Sequence, residues 1–177
     1  MSVKVLDQSD AAQRAWRILF ALPLVWGVIS VGQSLTARYS IGIDDQKDLC
    51  LKGNHRLFLI DHWDRTFRKE DLIAFKADNR MTPFFSLETI FIKRVKGVEG
   101  DEVGQRGDIL TVNGQEVGEG FPLTNNPGVT QVIDHHPFRV QPLTYWAMGD
   151  QPKSFDSRYW GVVYQQQVVG KAYVLSF

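Results

Sequence analysis

The chain is short of cysteine, of net charge and of helical pattern. Cys50 is its one cysteine among 177 residues. No disulfide can therefore form within it, and zinc sites built from several cysteines are excluded. The four histidines, His55, His62, His135 and His136, lack the His-Glu-x-x-His spacing of a helical zinc site. Neither a metal nor a cofactor is expected. Lys+Arg and Asp+Glu both number 20. That balance lacks the basic excess of a nucleic-acid surface, so no nucleic-acid partner is expected. No internal repeat or low-complexity linker divides the chain, and no convincing helical periodicity follows residue 36.

What the chain has first is an apolar run. Residues 18–35 carry no charge, close to the minimum length of about 17–25 residues for a spanning helix. Pro23, Gly27 and Gly32 are acceptable there, and Trp16 suits an entry-side interface. Arg14 and Arg17 precede the run, whereas Asp44 and Asp45 follow beyond Arg38. This bias favours an inside N-terminus and an outside C-terminal part. A cleaved signal peptide and the core helix of a soluble domain compete with that reading. The run starts late, however, and Thr36-Ala37-Arg38 makes a poor cleavage site. The expected organisation is a cytoplasmic segment over residues 1–17, a transmembrane anchor over 18–36 and an exported domain over 37–177.

The exported part reads as many short strands, an all-β domain. Strands are expected at residues 37–43, 56–61, 71–76, 89–95, 130–133, 144–148, 161–164 and 168–175. A hairpin is expected over 107–117, around Asn113-Gly114. Between strands, Pro83-Phe84-Phe85 makes an aromatic loop tip, suited either to the bilayer surface or to core packing.

Lys93 stands in the most apolar of these strands, after Thr89, Ile90, Phe91 and Ile92 and before Arg94 and Val95. On the strand's inward face a lysine is partly desolvated. Desolvation disfavours an ammonium and suits an amine to general-base work near neutral pH. On the outward face it is an ordinary solvated cation, like Arg94 and Lys96.

Two stretches resemble a known family. Lys93-Arg94-Val95 with Gly97 and Gly100-Asp101, followed by Leu110, Val112, Asn113-Gly114 and Val117, is similar to the lysine-bearing region of type I signal peptidases. Met148-Gly149-Asp150, then Ser154-Phe155-Asp156-Ser157-Arg158-Tyr159-Trp160-Gly161, is similar to that family's last conserved box. The short stretch between the two resembles the conjugative-transfer branch, the TraF-like pilin peptidases. The resemblance implies a twisted, signal peptidase-like β domain behind one N-terminal transmembrane helix, in the inner membrane, with its site on the periplasmic side. It implies a Lys93 general base, oriented by a hydrogen bond to Ser154. It also implies that Asp156 and Arg158 form a structural ion pair beneath the site, in a loop that Gly149 and Asp150 begin.

At the nucleophile the chain departs from the family. The usual serine position falls on Cys50, with Lys52 where proline is usual, and Asp48 takes the place of an oxyanion-hole hydroxyl. Three readings stand. In the first, Cys50 is the nucleophile of a Cys/Lys pair, which the reference pKa values of about 8.5 and 10.4 favour as thiolate and ammonium. In the second, the site is degenerate and the protein binds pilin without cutting it. In the third, Cys50 is a buried apolar cysteine. The first makes the chain a membrane-anchored endopeptidase whose partners are an exported prepilin or another exported protein and the inner membrane. It would process the prepilin through a thioester resolved by water or by a substrate amine. The second makes it an assembly protein. If Cys50, Lys93 and Ser154 form one site, their polar atoms should converge within about 3–4 Å, or somewhat more in a free enzyme.

Overall fold

The structure, a computed structural model, describes residues 8–46, 48–82, 84–133 and 136–175. Residues 1–7, Pro83 and His135, named above, lie outside the described residues. The chain divides into two units, Met1–Arg38 and Tyr39–Phe177.

The first unit is one helix, α1 (Gln8–Arg38). It starts before the apolar run and continues through Ala37 and Arg38, which the sequence had suggested for a strand. Leu19–Arg38 is long and apolar enough to cross a membrane. Pro23 lies inside it. The Thr36 hydroxyl bonds back to the carbonyls of Gly32 and Gln33 one turn earlier, as helical threonines do.

The described residues of the second unit form eleven short strands: β1 (Tyr39–Ile43), β2 (Leu57–Asp61), β3 (Leu72–Lys76), β4 (Ile90–Gly97), β5 (Glu102–Arg106), β6 (Ile109–Val112), β7 (Gln115–Glu119), β8 (Phe138–Arg139), β9 (Thr144–Met148), β10 (Val163–Tyr164) and β11 (Val168–Val174). The described residues form a seven-stranded sheet in the order β1-β2-β11-β3-β4-β9-β10 and a four-stranded sheet in the order β7-β6-β5-β8. Every pairing is antiparallel. The chain is thus mostly β after an N-terminal apolar helix.

Two features of the large sheet place the site. β3 is buried at Leu72, Ile73, Ala74 and Phe75, as expected of a strand covered on both faces. Beside it, β4 alternates. Phe91, Lys93, Val95 and Gly97 are buried, while the residues between them are partly exposed. The two-residue period of a strand therefore carries Lys93 inward with Phe91 and Val95. Phe75, Phe91, Val95, Tyr159 and Trp160 share one core cluster, and Leu51, Phe58, Ile60 and Ala74 share another.

Two expectations fail. Residues 130–133 form no strand. Val129 and Ile133 are buried there, and Val132 N–H donates to the Arg158 carbonyl, so the segment is pinned by side chains and one bond rather than by a ladder. The region after residue 36 also holds helical turns: α2 (Ser157–Trp160) and two 3-10 turns at Pro122–Asn125 and Gln165–Gln167. Each is too short to produce a helical period in sequence. The cap carries α2 instead, since Asp156 accepts from the Arg158 N–H.

Candidate active site

Lys93 is 2% exposed, and its amine donates to the Ser154 hydroxyl at 2.9 Å. Ser154 is itself buried. The Phe91 ring lies 5.9 Å from the amine, and among the described residues no carboxylate pairs with it. The buried amine thus has a hydroxyl rather than a carboxylate as its partner.

Cys50 and Lys93 line one cavity of about 370 Å³, together with Ser40, Gly42, Leu51 and Phe91. The cavity runs between the edge strand β1 and the start of β4. Cys50 is partly exposed. Its thiol approaches Gln46 Oε1 at 3.9 Å, a weak contact, and no hydrogen bond joins it to Lys93. The Lys93 and Ser154 atoms thus lie within the expected distance, whereas Cys50 shares the cavity with its sulfur turned to Gln46. Asp48 is exposed and lines a different hollow with Asn54, Arg56 and Lys153. It therefore does not stand over the Cys50 cavity as its sequence position suggested.

The backbone of the Cys50 segment is fixed from β9 and the loop after it. The Cys50 carbonyl accepts from the N–H groups of Asp150 at 2.8 Å and Gln151 at 3.2 Å. Gly149 makes this approach possible. A Cβ there would collide with Ser154 Oγ and lie 2.9 Å from the Cys50 carbonyl oxygen. No other residue fits without displacing one of the two.

Asp156 and Arg158 form the buried pair beneath the loop, at 2.8 and 2.9 Å. Asp156 also accepts from the Gly149 N–H. Arg158 spends its remaining donors on the carbonyls of Ser154 and Gly120. Burial works against the Arg158 charge, but the Asp156 carboxylate outweighs it and holds the guanidinium above its ordinary value. Ser157 Oγ accepts from Ala147 N–H, tying α2 to β9.

Two contacts were not foreseen from the sequence. Arg94, one residue from the buried lysine, grips Asp150 with two bonds of 2.8 and 2.9 Å. The strand period had only placed it on the opposite face. Arg80 donates to the carbonyls of Trp160 and Val162, both at 2.9 Å, beyond the end of α2. The aromatic tip divides. Phe85 packs on Phe91 and Phe155, whereas Phe84 is 42% exposed. Among the described residues no group of three or more His, Cys, Asp or Glu is placed to hold a metal ion.

A family model described as signal peptidase, peptidase S26, matches residues 13–177. The chain belongs to the signal peptidase family. It is 30% identical to a signal peptidase I of Leptolyngbya laminosa over 170 residues, 86% of this chain and 79% of that protein. It is 32% identical to a signal peptidase I of Bacillus caldolyticus over 116 residues, 59% of this chain and 58% of that protein. A signal peptidase I from Enterococcus faecalis aligns with a TM-score of 0.39 and 27% identity, covering 64% of this chain and 99% of that one. Signal peptidases are peptide hydrolases.

Proposed function

We propose that this chain is a membrane-anchored, TraF-like endopeptidase that processes an exported prepilin, with Cys50 as nucleophile and Lys93 as general base. The observation that carries the reading is the buried Lys93–Ser154 hydrogen bond, in the wall of a cavity that Cys50 also lines. The substrate would lie extended along the edge of β1, the mode in which main-chain bonds give affinity and side-chain pockets give selectivity.

The mechanism requires the Cys50 side chain to turn from Gln46 toward the Lys93 amine across the cavity that both line. Lys93 takes the thiol proton, and the thiolate attacks the scissile carbonyl. As the C–N bond breaks, the Lys93 ammonium returns the proton to the leaving amine. This leaves a thioester, which water hydrolyses with Lys93 again as base, or which a substrate amine attacks to close a ring. Ser154 holds the lysine amine throughout. α1 would anchor the chain in the membrane, with the β unit on the periplasmic side.

The test is processing of the prepilin by Cys50→Ala, Cys50→Ser and Lys93→Ala proteins in the parent membrane. Cys50→Ala and Lys93→Ala are expected to lose activity by about three orders of magnitude or more. Unimpaired processing by either would sink the Cys50/Lys93 mechanism, whereas absence of processing by the parent protein itself would leave the non-enzymatic assembly role.

A further inference from the structure

We propose that Gln46 supplies, through its side-chain amide, an oxyanion donor that Asp48 does not provide. The proposal rests on the reading of Cys50 as nucleophile and adds a catalytic residue to it.

Attack on an amide puts negative charge on the carbonyl oxygen. That charge is stabilised by donors about 2.7–3.1 Å from the oxygen, in place before the reaction. The side chains lining the Cys50 cavity leave few candidates. Asp44, Asp45 and Glu88 are acceptors that repel an oxyanion. The Ser40 hydroxyl is bonded to His62 at 2.9 Å, and the Thr89 hydroxyl to Ser86 at 3.2 Å. Gln46 carries a neutral amide into the same cavity, and that amide is the group that meets the thiol, at 3.9 Å. The oxygen of a tetrahedral adduct lies two bonds from Sγ, so a group this far from the sulfur stands within hydrogen-bond reach of it.

Gln46 presents an exposed side chain on a fixed backbone. Its N–H donates to the Asp44 carboxylate at 3.0 Å, and its carbonyl accepts from Arg56 at 3.0 Å. Arg56 also donates to the Asp44 carbonyl at 3.1 Å. Among the described residues the Gln46 side chain is bonded only to the thiol, from which Oε1 accepts. Once the thiol gives up its proton that bond is gone, and a half-turn of the amide presents an Nε2 N–H where Oε1 stood. As Sγ bonds to carbon, the carbonyl π pair moves to the oxygen, which accepts from that N–H. The pair returns as the C–N bond breaks, and no proton leaves Gln46. The donor is thus used only while the oxygen is charged, the condition for speeding the chemical step rather than tightening substrate binding.

The experiment uses the full-length, detergent-solubilised protein and two probes. One is a fluorogenic peptide with alanine on the acyl side of the scissile bond. The other is the aldehyde of the same peptide, whose thiol adduct carries the oxygen in question. Gln46→Met keeps the length and loses the amide, and Gln46→Glu keeps an acceptor that cannot donate when ionised. Both are expected to lower kcat about 10²- to 10³-fold and to weaken aldehyde inhibition by a similar factor. KM should stay within about threefold of the parent value. Iodoacetamide reads the thiol alone, because its displacement forms no oxyanion, and Gln46→Met should be alkylated at Cys50 at the parent's rate. Melting midpoints should match the parent's, since the side chain is exposed. If Gln46→Met keeps kcat within about threefold of the parent while Cys50→Ala is inactive, the proposal is overturned and Cys50 stands as nucleophile. It is equally overturned if Gln46→Met changes alkylation and kcat by the same factor, which would make Gln46 a holder of the thiol. If Cys50→Ala cuts the peptide as the parent does, or the parent cuts none, the Cys50 reading falls and the Gln46 role falls with it.

Discussion

Lys93 is a polar atom group placed where an apolar one would pack with less cost. A buried amine bonded to one hydroxyl forgoes most of its solvation. Removing only one partner leaves the other unsatisfied, at about 1–3 kcal/mol. Replacing both by apolar groups of similar shape relieves that cost. The double variant Lys93→Met/Ser154→Ala should therefore unfold at or above the parent temperature while processing nothing, and a denaturation curve beside an activity assay checks it. Arg158 makes the opposite case. Its removal strands a buried carboxylate, so Arg158→Ala should lose about 3–5 kcal/mol of stability, measured by urea unfolding of the solubilised protein. Asp48 marks a place where sequence position misled. It lines a hollow separate from the Cys50 cavity, and an exposed carboxylate acts through solvent at no more than about 1 kcal/mol. Asp48→Asn should accordingly change kcat less than about fivefold.

At the scale of elements, what could be read from the sequence was what two-residue alternation and turn residues encode. Thr144–Met148 and the Asn113-Gly114 hairpin appear where they were expected. The inward turn of Lys93 follows from counting along β4. The strand at β5 was not legible. Glu102, Gly104, Gln105 and Arg106 have little intrinsic preference for a strand, and the segment is extended because β6 and β8 pair with it. Residues 130–133 failed in the reverse direction, since a β-branched run found buried pockets but no ladder. In the site, the lysine and the final box carried a readable pattern. The Arg94 grip on Asp150 did not, because it joins residues 56 positions apart through a backbone crossing that no local signal announces. That grip has a pH signature. Burial opposes the Asp150 charge, but Arg94 and the Lys52 N–H outweigh it, so the carboxyl titrates below its ordinary range. A carboxyl with a depressed folded value contributes its stability fully above its unfolded value of about 3.9 and loses it as the pH falls through the folded one. Below about pH 4 the parent should destabilise more steeply than Asp150→Asn, in melting temperatures recorded from pH 7 down to 2.5.

At the scale of the whole molecule, one long apolar helix and a β unit divide the labour between location and chemistry. If α1 is the anchor, the full chain should resist extraction by alkaline carbonate. Protease added to spheroplasts should then degrade the β unit while sparing the helix. Recovery of the chain in the soluble fraction would remove the anchoring proposal without touching the site geometry.

The order of the large sheet has a consequence for timing. β2, which follows the Cys50 segment, and β3, which adjoins the lysine strand, do not pair with each other. β11, the last strand in chain order, lies between them and pairs with both. Until β11 is in place, the two halves of the cavity have no shared sheet to align them. Contacts of such long sequence separation also form late in folding. If the chain cuts as proposed, it would be unable to do so, on itself or on its neighbours, until its final strand has slotted into the gap.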